Sequence, residues 1–140
     1  MYEEKHMDIF NLDPKEYSFV HCISSDCAMG AGIAVPMKKK FHLGGLKNLD
    51  EAVRKHPTCI YRNGCFNLIT KDKYWKKPTY ESLRISLKVM RDQAKASGIE
   101  KIAMPKIGCG IDGLSWPRVR EMLKEMFEDD PNISIIICYI

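Results

Sequence analysis

Two residues of opposite charge, Lys71 and Asp112, have the types and surroundings that covalent chemistry requires. Lys71 ends an apolar run typical of a strand, and Lys73, Lys76 and Lys77 follow closely. Neighbouring cations and partial burial favour the neutral amine of a lysine, which can attack a carbonyl-like carbon such as C1 of a ring-opened sugar. A carboxylate across the site could donate and accept the protons. On these two residues alone, a solvated surface lysine and a turn or helix-capping aspartate remain open alternatives.

Asp112 lies in a glycine-rich loop between a predicted strand and a predicted helix. The loop contains Gly108, Cys109, Gly110, Ile111 and Asp112, and Pro117 favours a helix start just beyond it. Backbone N–H groups in such a loop, together with a helix N-terminus, favour a phosphate or diphosphate. An ordinary tight connection between a strand and a helix accounts for the loop equally well.

The glycines of this loop formally match the dinucleotide-binding pattern G-x-G-x-x-G. That pattern should open a βαβ unit, with further strands and an acidic residue about 20 positions later. Only one helix and one strand fit into the chain that remains after Gly113. The loop is therefore a late element of a sheet already built, and the dinucleotide interpretation fails.

A second glycine loop follows an earlier predicted strand. Residues 17–23 form a β-rich run that leads into Ser24, and the loop then supplies Gly30, Ala31, Gly32, Ile33 and Ala34. If both strands belong to one parallel sheet, the two loops emerge at the same edge, where open α/β sheets bind ligands. Two such loops facing one cleft would suit a ligand with two phosphates.

Two other candidate nucleophiles have weaker support. Ser24 has no G-x-S-x-G context and no recognisable His and Asp partners, so a hydrogen-bonding role is favoured. Cys109 could act as a thiol nucleophile, although the six cysteines otherwise fit reduced, mostly buried positions. The chain has no C-x-x-C pair and no zinc-type spacing of cysteine and histidine.

The remaining pattern alternates strands and helices, which predicts an α/β sandwich with a mostly parallel sheet. Asn63-Gly64 marks a hairpin, and apolar residues at spacings of three and four mark helices after Pro78 and from Trp116. Strands are predicted at residues 2–5, 17–23, 58–62, 64–70, 102–104 and 133–139, and helices at residues 34–41, 46–55, 79–97 and 116–127.

Composition limits the class of protein. The 140 residues predict one domain, 1–140, with 45% hydrophobic and 29% charged residues and a net charge of +4. No apolar run is long enough for a membrane span and no signal-peptide pattern is present, so a cytoplasmic location and no membrane partner are expected. The basic stretch of residues 71–77 contains Tyr74 and Trp75, which leaves it open as a surface for substrate or nucleic acid.

Four motifs, taken in order, resemble a macrodomain. They are residues 21–34 with the basic stretch 38–41, residues 68–71, residues 77–80 and residues 104–112. More narrowly, they resemble the branch of terminal ADP-ribose protein glycohydrolases. The resemblance covers nearly the whole chain and implies a three-layer α/β/α fold around a mixed, mostly parallel six-stranded sheet, with ADP-ribose in a cleft over the strand ends.

The resemblance also implies roles for individual residues. Lys71 matches the lysine that attacks C1″ of the distal ribose, and Asp112 matches the acid/base that resolves the lysyl adduct. Neither a metal nor a cofactor is implied. The implied substrate-binding residues are Asp8, Ile9, Ser24, Gly30, Ala31, Gly32, Ile33, Ala34, Lys106, Ile107, Gly108, Cys109, Gly110, Ile111 and Ile140.

The expected function is therefore hydrolysis of terminal ADP-ribose from acidic side chains of modified proteins, with deacylation of O-acetyl-ADP-ribose as a related activity. The expected partners are ADP-ribose and ADP-ribosylated protein, and the chain is expected to be a monomer. Alternatives are hydrolysis of ADP-ribosylated DNA bases, a non-catalytic ADP-ribose reader, and a phosphatase of ADP-ribose-1″-phosphate.

Overall fold

A six-stranded mixed sheet forms the centre of the computed structural model, which describes all residues from 1 to 140. The strand order is β1-β6-β5-β2-β4-β3, and every neighbouring pair is parallel except β3 with β4. The strands are β1 (Tyr2–His6), β2 (Ser18–Ser24), β3 (Thr58–Arg62), β4 (Cys65–Lys71), β5 (Lys101–Met104) and β6 (Ser134–Tyr139). The mostly parallel sheet predicted from the sequence is confirmed.

Helices cover both faces of the sheet. The α-helices are α1 (Ala34–Lys40), α2 (Tyr80–Ser97) and α3 (Trp116–Phe127). Side chains of α2 and α3 belong to one buried cluster with Val20 and Ile137, whereas α1 belongs to a second cluster with Phe19 and Ile136. Neighbouring residues of one strand thus point into opposite layers, which explains the near-continuous apolar sequence of β6. None of the helices is long and apolar enough to cross a membrane.

The helix predicted at residues 46–55 is wrong. A short 3-10 helix spans Gly44–Asn48, and the chain then turns. Asp50 accepts a hydrogen bond from the backbone N–H of Ala52 at 2.9 Å, and the side chain of Arg54 donates to the Leu49 carbonyl at 2.9 Å. An aspartate side chain that bonds a nearby backbone N–H, as Asp50 does, competes with helix formation, and the apolar spacing alone does not reveal this.

Helix α3, which follows the Asp112 loop, is fastened to the edge strand β1. The Arg120 guanidinium donates two hydrogen bonds to the Glu4 carboxylate, at 2.5 and 3.0 Å, and Trp116 Nε1 donates a third at 3.3 Å. The bond from Arg120 is the main reason that the pKa of Glu4 is lowered to about 2; burial opposes the shift, and bonds from Tyr2 and Trp116 assist it. The start of α3, which follows the Asp112 loop, is therefore fixed to β1 by Trp116 and Arg120.

One buried polar pair links β2 to β4. His21 and Asn67 are register partners with no exposed surface, and His21 Nε2 lies 2.6 Å from Asn67 Oδ1. The Asn67 amide donates to the carbonyls of Ile60 and Cys65, so its Oδ1 accepts and the imidazole carries its proton on Nε2. Burial lowers the pKa of His21 to about 4, although the bond to Asn67 opposes that shift.

We expect this histidine to make the protein sensitive to mild acid. The unfolded chain binds a proton near pH 6.5 while the folded chain resists it down to about pH 4, so the contribution is complete above pH 6.5 and is lost as the pH falls through this range. The free energy of unfolding, measured with urea, should decrease by about 3 kcal/mol between pH 7 and pH 4 because of His21.

The matched variant is His21→Gln, which keeps a donor for Asn67 but does not titrate. Its stability should be nearly constant from pH 6.5 to pH 5. An equally steep decrease in the variant would show that another group causes the acid sensitivity.

Candidate active site

The carboxyl ends of β5, β2 and β4, which are neighbours in the sheet, open into one cleft of about 640 Å³. The three loops that leave these strands form its walls: residues 25–33 after β2, residues 72–79 after β4, and residues 105–115 after β5. A cleft of this size is ordinary for a small organic ligand, and it lies at the sheet edge where α/β folds bind ligands.

Lys71 and Asp112 meet on the wall of this cleft. Lys71 is the last residue of β4, Asp112 comes from the loop after β5, and Lys71 Nζ donates a hydrogen bond to Asp112 Oδ1 at 2.8 Å. Their side chains are 12% and 16% exposed, so water reaches both but screens them only partly. The pair joins an amine that can become a nucleophile to a carboxylate within proton-transfer distance.

The surroundings of Lys71 differ from the predicted cluster of cations. Asp112 is the charged group in contact with Lys71. Lys76 pairs with Asp72 at 3.9 Å, and Lys77 donates to the backbone carbonyl of Ile111. The sequence places these lysines close together along the chain, but the turn of the loop sends them to different partners.

Most of the predicted substrate-binding residues share the cleft with this pair. Its lining includes Ser24, Gly30, Ala31, Gly32, Ile33, Ala34, Lys106, Ile107, Gly108, Cys109 and Ile111. Gly110 lies beside the cleft on the short 3-10 turn Gly110–Asp112, outside this lining.

Three predicted residues lie elsewhere. Asp8 is exposed and caps the 3-10 turn Ile9–Asn11 by accepting a hydrogen bond from Phe10 N at 2.9 Å. Ile9 is buried among the apolar side chains on the α1 face of the sheet, and Ile140 is 89% exposed at the end of the chain. None of the three belongs to the lining of the cleft, and their predicted contacts with a ligand stay predictions.

Glycine is needed at Gly108 for two separate reasons. Its φ of +73° lies in the left-handed region, where side chains are strained. A β-carbon there would lie 2.9 Å from Leu114 Cδ1 and 3.2 Å from Leu83 Cδ2, too close without a shift of the core. Glycine therefore lets this loop pack closely against Leu83 of α2 and against Leu114.

The two glycine loops approach each other across the cleft. A β-carbon on Gly32 would lie 3.8 Å from Ile111 Cδ1, which is ordinary van der Waals distance. Ile111 is 66% exposed and is held from behind, because Lys77 donates to its carbonyl.

The structure gives no support to a thiol nucleophile. Burial raises the pKa of the Cys109 thiol, and the charge of Asp112 adds to this effect while Lys106 opposes it. Burial likewise raises the pKa of Cys22, which also lines the cleft, to about 12. A reactive cysteine needs the opposite shift. Ser24 donates its hydroxyl proton to Asp26, which is the hydrogen-bonding role favoured from the sequence.

Sequence reasoning missed Asp26, and it named Tyr74 only as part of the basic stretch 71–77 and not among the site residues. Tyr74 lines the cleft, and Asp26 accepts hydrogen bonds from three places around it. Asp26 follows a strand end in the run Ser-Ser-Asp, a context that favours bonds to nearby backbone groups and was the available signal. No group of three or more His, Cys, Asp or Glu side chains is placed to hold a metal ion.

Comparisons with known proteins identify the family of the chain. The family model described as "Macro domain" matches residues 65–123. ADP-ribose glycohydrolase OARD1 of Homo sapiens is 45% identical over 119 residues, which cover 82% of this chain and 77% of that protein. The DNA ADP-ribosyl glycohydrolase of Thermus aquaticus is 26% identical over 134 residues, which cover 84% of this chain and 36% of that protein.

A solved structure supports the fold independently. The macrodomain of Thermus aquaticus DarG superposes with a TM-score of 0.88 at 19% identity, over 100% of this chain and 99% of that one. At this level of identity the match concerns the fold alone. Together with the 45% identity to OARD1, it shows that the chain belongs to the macro domain family.

Proposed function

We propose that this protein is an ADP-ribose hydrolase that releases terminal ADP-ribose from acidic side chains of modified proteins, and that also deacylates O-acetyl-ADP-ribose. The observation that carries the proposal is the Lys71–Asp112 pair, 2.8 Å apart on the wall of the cleft. A protein that only binds ADP-ribose has no need of a nucleophile beside a proton acceptor. The relative OARD1, 45% identical and named an ADP-ribose glycohydrolase, supports the hydrolase part of this proposal.

In the proposed mechanism, Asp112 takes a proton from the Lys71 ammonium, to which it is already hydrogen-bonded. The neutral Lys71 Nζ then forms a bond to C1″ of the distal ribose. The bond from C1″ to the ester oxygen breaks, and the acidic side chain leaves as a carboxylate. Asp112, now protonated, is placed to assist opening of the sugar ring, which leaves a Schiff base between Lys71 and C1″.

Hydrolysis completes the proposed cycle. Asp112 accepts a proton from a water molecule that adds to C1″ and returns it to the nitrogen. The C1″–N bond then breaks as C1″ becomes an aldehyde, which regenerates the amine of Lys71 and closes to the ribose ring. The glycine loops would hold the diphosphate through their backbone N–H groups, and Asp8, Ile9 and Ile140 are predicted to meet the adenine. A cytoplasmic location and a monomeric state remain predictions from the sequence.

Removing either member of the pair should stop turnover. We expect Lys71→Ala and Asp112→Ala each to lower the rate of ADP-ribose release from a Glu-modified protein by at least about 100-fold, because each removes a group that acts on the reacting carbon. Borohydride reduction of the wild-type protein during turnover should trap a covalent adduct on Lys71, detected by peptide mass spectrometry, and Lys71→Ala should give none.

The matched control is Lys101→Ala. It also removes a lysine from an ion pair, with Glu16 at 2.7 Å, but that pair is half exposed and lies outside the cleft. Its rate should equal that of the wild type. Full turnover by both active-site variants, with ADP-ribose binding intact by calorimetry, would disprove the mechanism.

A substrate panel should define the leaving group. Wild-type protein is expected to cleave Glu-linked ADP-ribose and O-acetyl-ADP-ribose, since both present a carboxylate-type leaving group at the sugar, and to spare the Ser-linked form. Release of ADP-ribose should be followed by chromatography for each substrate, with Lys71→Ala as the blank. Cleavage confined to ADP-ribosylated DNA would contradict the acidic-side-chain assignment, and tight binding without turnover of any conjugate would indicate a reader.

A further inference from the structure

Asp26 lies behind the lining of the cleft and accepts hydrogen bonds from three residues of that lining, Ser24, Ala28 and Tyr74. It is half-buried between the end of β2 and the loop of residues 72–79. Its Oδ1 accepts hydrogen bonds from the Ser24 hydroxyl and from the backbone N–H of Ala28, the latter at 3.2 Å. Its Oδ2 accepts the backbone N–H of Tyr74 at 3.1 Å. One carboxylate thus joins the end of β2, the glycine loop after β2 and the loop that follows Lys71.

The charge of Asp26 matches this set of donors. Burial acts to raise the pKa of its carboxyl, but the bonds from Ser24, Tyr74 and Ala28, with the charge of Lys73, lower it below its ordinary value. The carboxylate form is therefore the one that the surroundings stabilise, and it offers only acceptors.

The glycine loop needs such an anchor because its backbone is unusual. Cys27 and Met29, the residues on either side of Ala28, have φ values of 55° and 45°, in the left-handed region. Both side chains are nevertheless buried against the sheet. Left-handed backbone at residues other than glycine persists only where the surroundings impose it.

The loop after Lys71 is held at two points. Near its start, Tyr74 N is bound by Asp26, and at its end Lys77 donates to the carbonyl of Ile111, next to Asp112. Between them, Lys76 N donates to the carbonyl of Lys73 at 3.0 Å, so Tyr74 occupies the second position of a tight turn. The loop spans from the β2 wall to the Asp112 wall, immediately beside the reacting amine.

We propose that Asp26 is a positioning residue for the reaction. By joining Tyr74 N to the glycine loop after β2, it fixes the segment after Lys71 and so positions the Lys71 amine and the leaving-group side of the cleft relative to the ligand. This inference rests on the proposed hydrolase function. Asp26 itself touches no reacting atom and acts through Tyr74 and Lys71.

The amide variant Asp26→Asn distinguishes the hydrogen bonds to Ser24 and Ala28 from the hydrogen bond to Tyr74. With its oxygen kept toward Ser24 and Ala28, the new amide NH₂ faces the N–H of Tyr74, which places a donor against a donor. The glycine loop keeps its bond and the loop after Lys71 is released. We expect kcat to fall about 10- to 100-fold, since small misplacements of a reacting group have effects of that size, while KM and the Kd for free ADP-ribose change less than about threefold.

The control is Asp13→Asn. Asp13 accepts a hydrogen bond from Lys15 N at 2.9 Å in an exposed turn outside the cleft, so the chemical change and the local bonding are alike. Its kcat should match that of the wild type. A variant of Asp26 in which KM and Kd worsen while kcat is unchanged would overturn the proposal and assign Asp26 to ligand binding alone.

A second pair of variants tests the same bond from the other side and serves if Asp26→Asn does not fold. Tyr74→Pro suits the second position of a turn and removes both the side chain and the N–H, whereas Tyr74→Ala removes the side chain only. The Pro variant should be about 10- to 100-fold slower in kcat than the Ala variant. Adding Asp26→Asn to Tyr74→Pro should cause little further loss, because the two changes break one bond. Full additivity, or equal rates for Pro and Ala, would overturn the proposal.

Hydrogen exchange separates this inference from the proposed function, since it needs no substrate. In Asp26→Asn, the Tyr74 amide should exchange at least about tenfold faster than in the wild type, while the Ala28 amide is unchanged. This result with an inactive wild-type protein would refute the hydrolase function but support the proposed role of the Asp26–Tyr74 hydrogen bond. Unchanged exchange of the Tyr74 amide with an active wild-type protein would refute the role of the Asp26–Tyr74 hydrogen bond but support the hydrolase function.

Discussion

The parallel alignment of β5, β2 and β4 is the constraint on which the rest of the structure depends. Because parallel strands end at the same edge, the loops that follow them converge without any long excursion of the chain. Lys71 from β4 and Asp112 from the loop after β5 meet beside the end of the strand that lies between theirs, β2. Reversing any one of the three strands would carry its loop to the far edge and separate the pair.

Polar contacts inside and around the sheet maintain this alignment. The His21–Asn67 pair fixes the register of β2 against β4 from within, since a shift by one residue would leave both groups buried without partners. At the other end of the sheet, Glu4 on β1 anchors Arg120 and Trp116 of the helix that follows the Asp112 loop. The catalytic chemistry proposed for this protein therefore depends on contacts well away from the reacting carbon.

The regular elements were predictable because their signals are local. Apolar spacing identified α2 and α3, Asn63-Gly64 identified the hairpin, and the apolar run at the end of the chain identified a strand buried on both faces. The helix proposed at residues 46–55 failed because the bonds made by Asp50 and Arg54 form turns that periodicity does not register. Propensity is a weak guide where side chains bond the backbone.

The site was only partly visible in the sequence for a related reason. Lys71 and Asp112 stand out by residue type and by the glycines around one of them, and each is found at a strand end or loop. The contact between them, and the separate partners of Lys76 and Lys77, are long-range properties of the folded chain. Asp26 was missed because the hydrogen bond that it accepts from Tyr74 N joins residues 48 positions apart along the chain.

The near contact between Ile111 and Gly32 bears on how a ligand enters and leaves. These residues belong to loops that follow two different strands, and Ile111 Cδ1 lies 3.8 Å from the position that a β-carbon on Gly32 would take, so the cleft is narrow between them. A small molecule with two free ends can enter this narrow part of the cleft from either side. A group tethered at one end to a macromolecule can enter it only with its free end first, unless the two loops separate. A tethered ligand therefore enters with its free end first and leaves by the reverse path, whereas a released product can leave on either side.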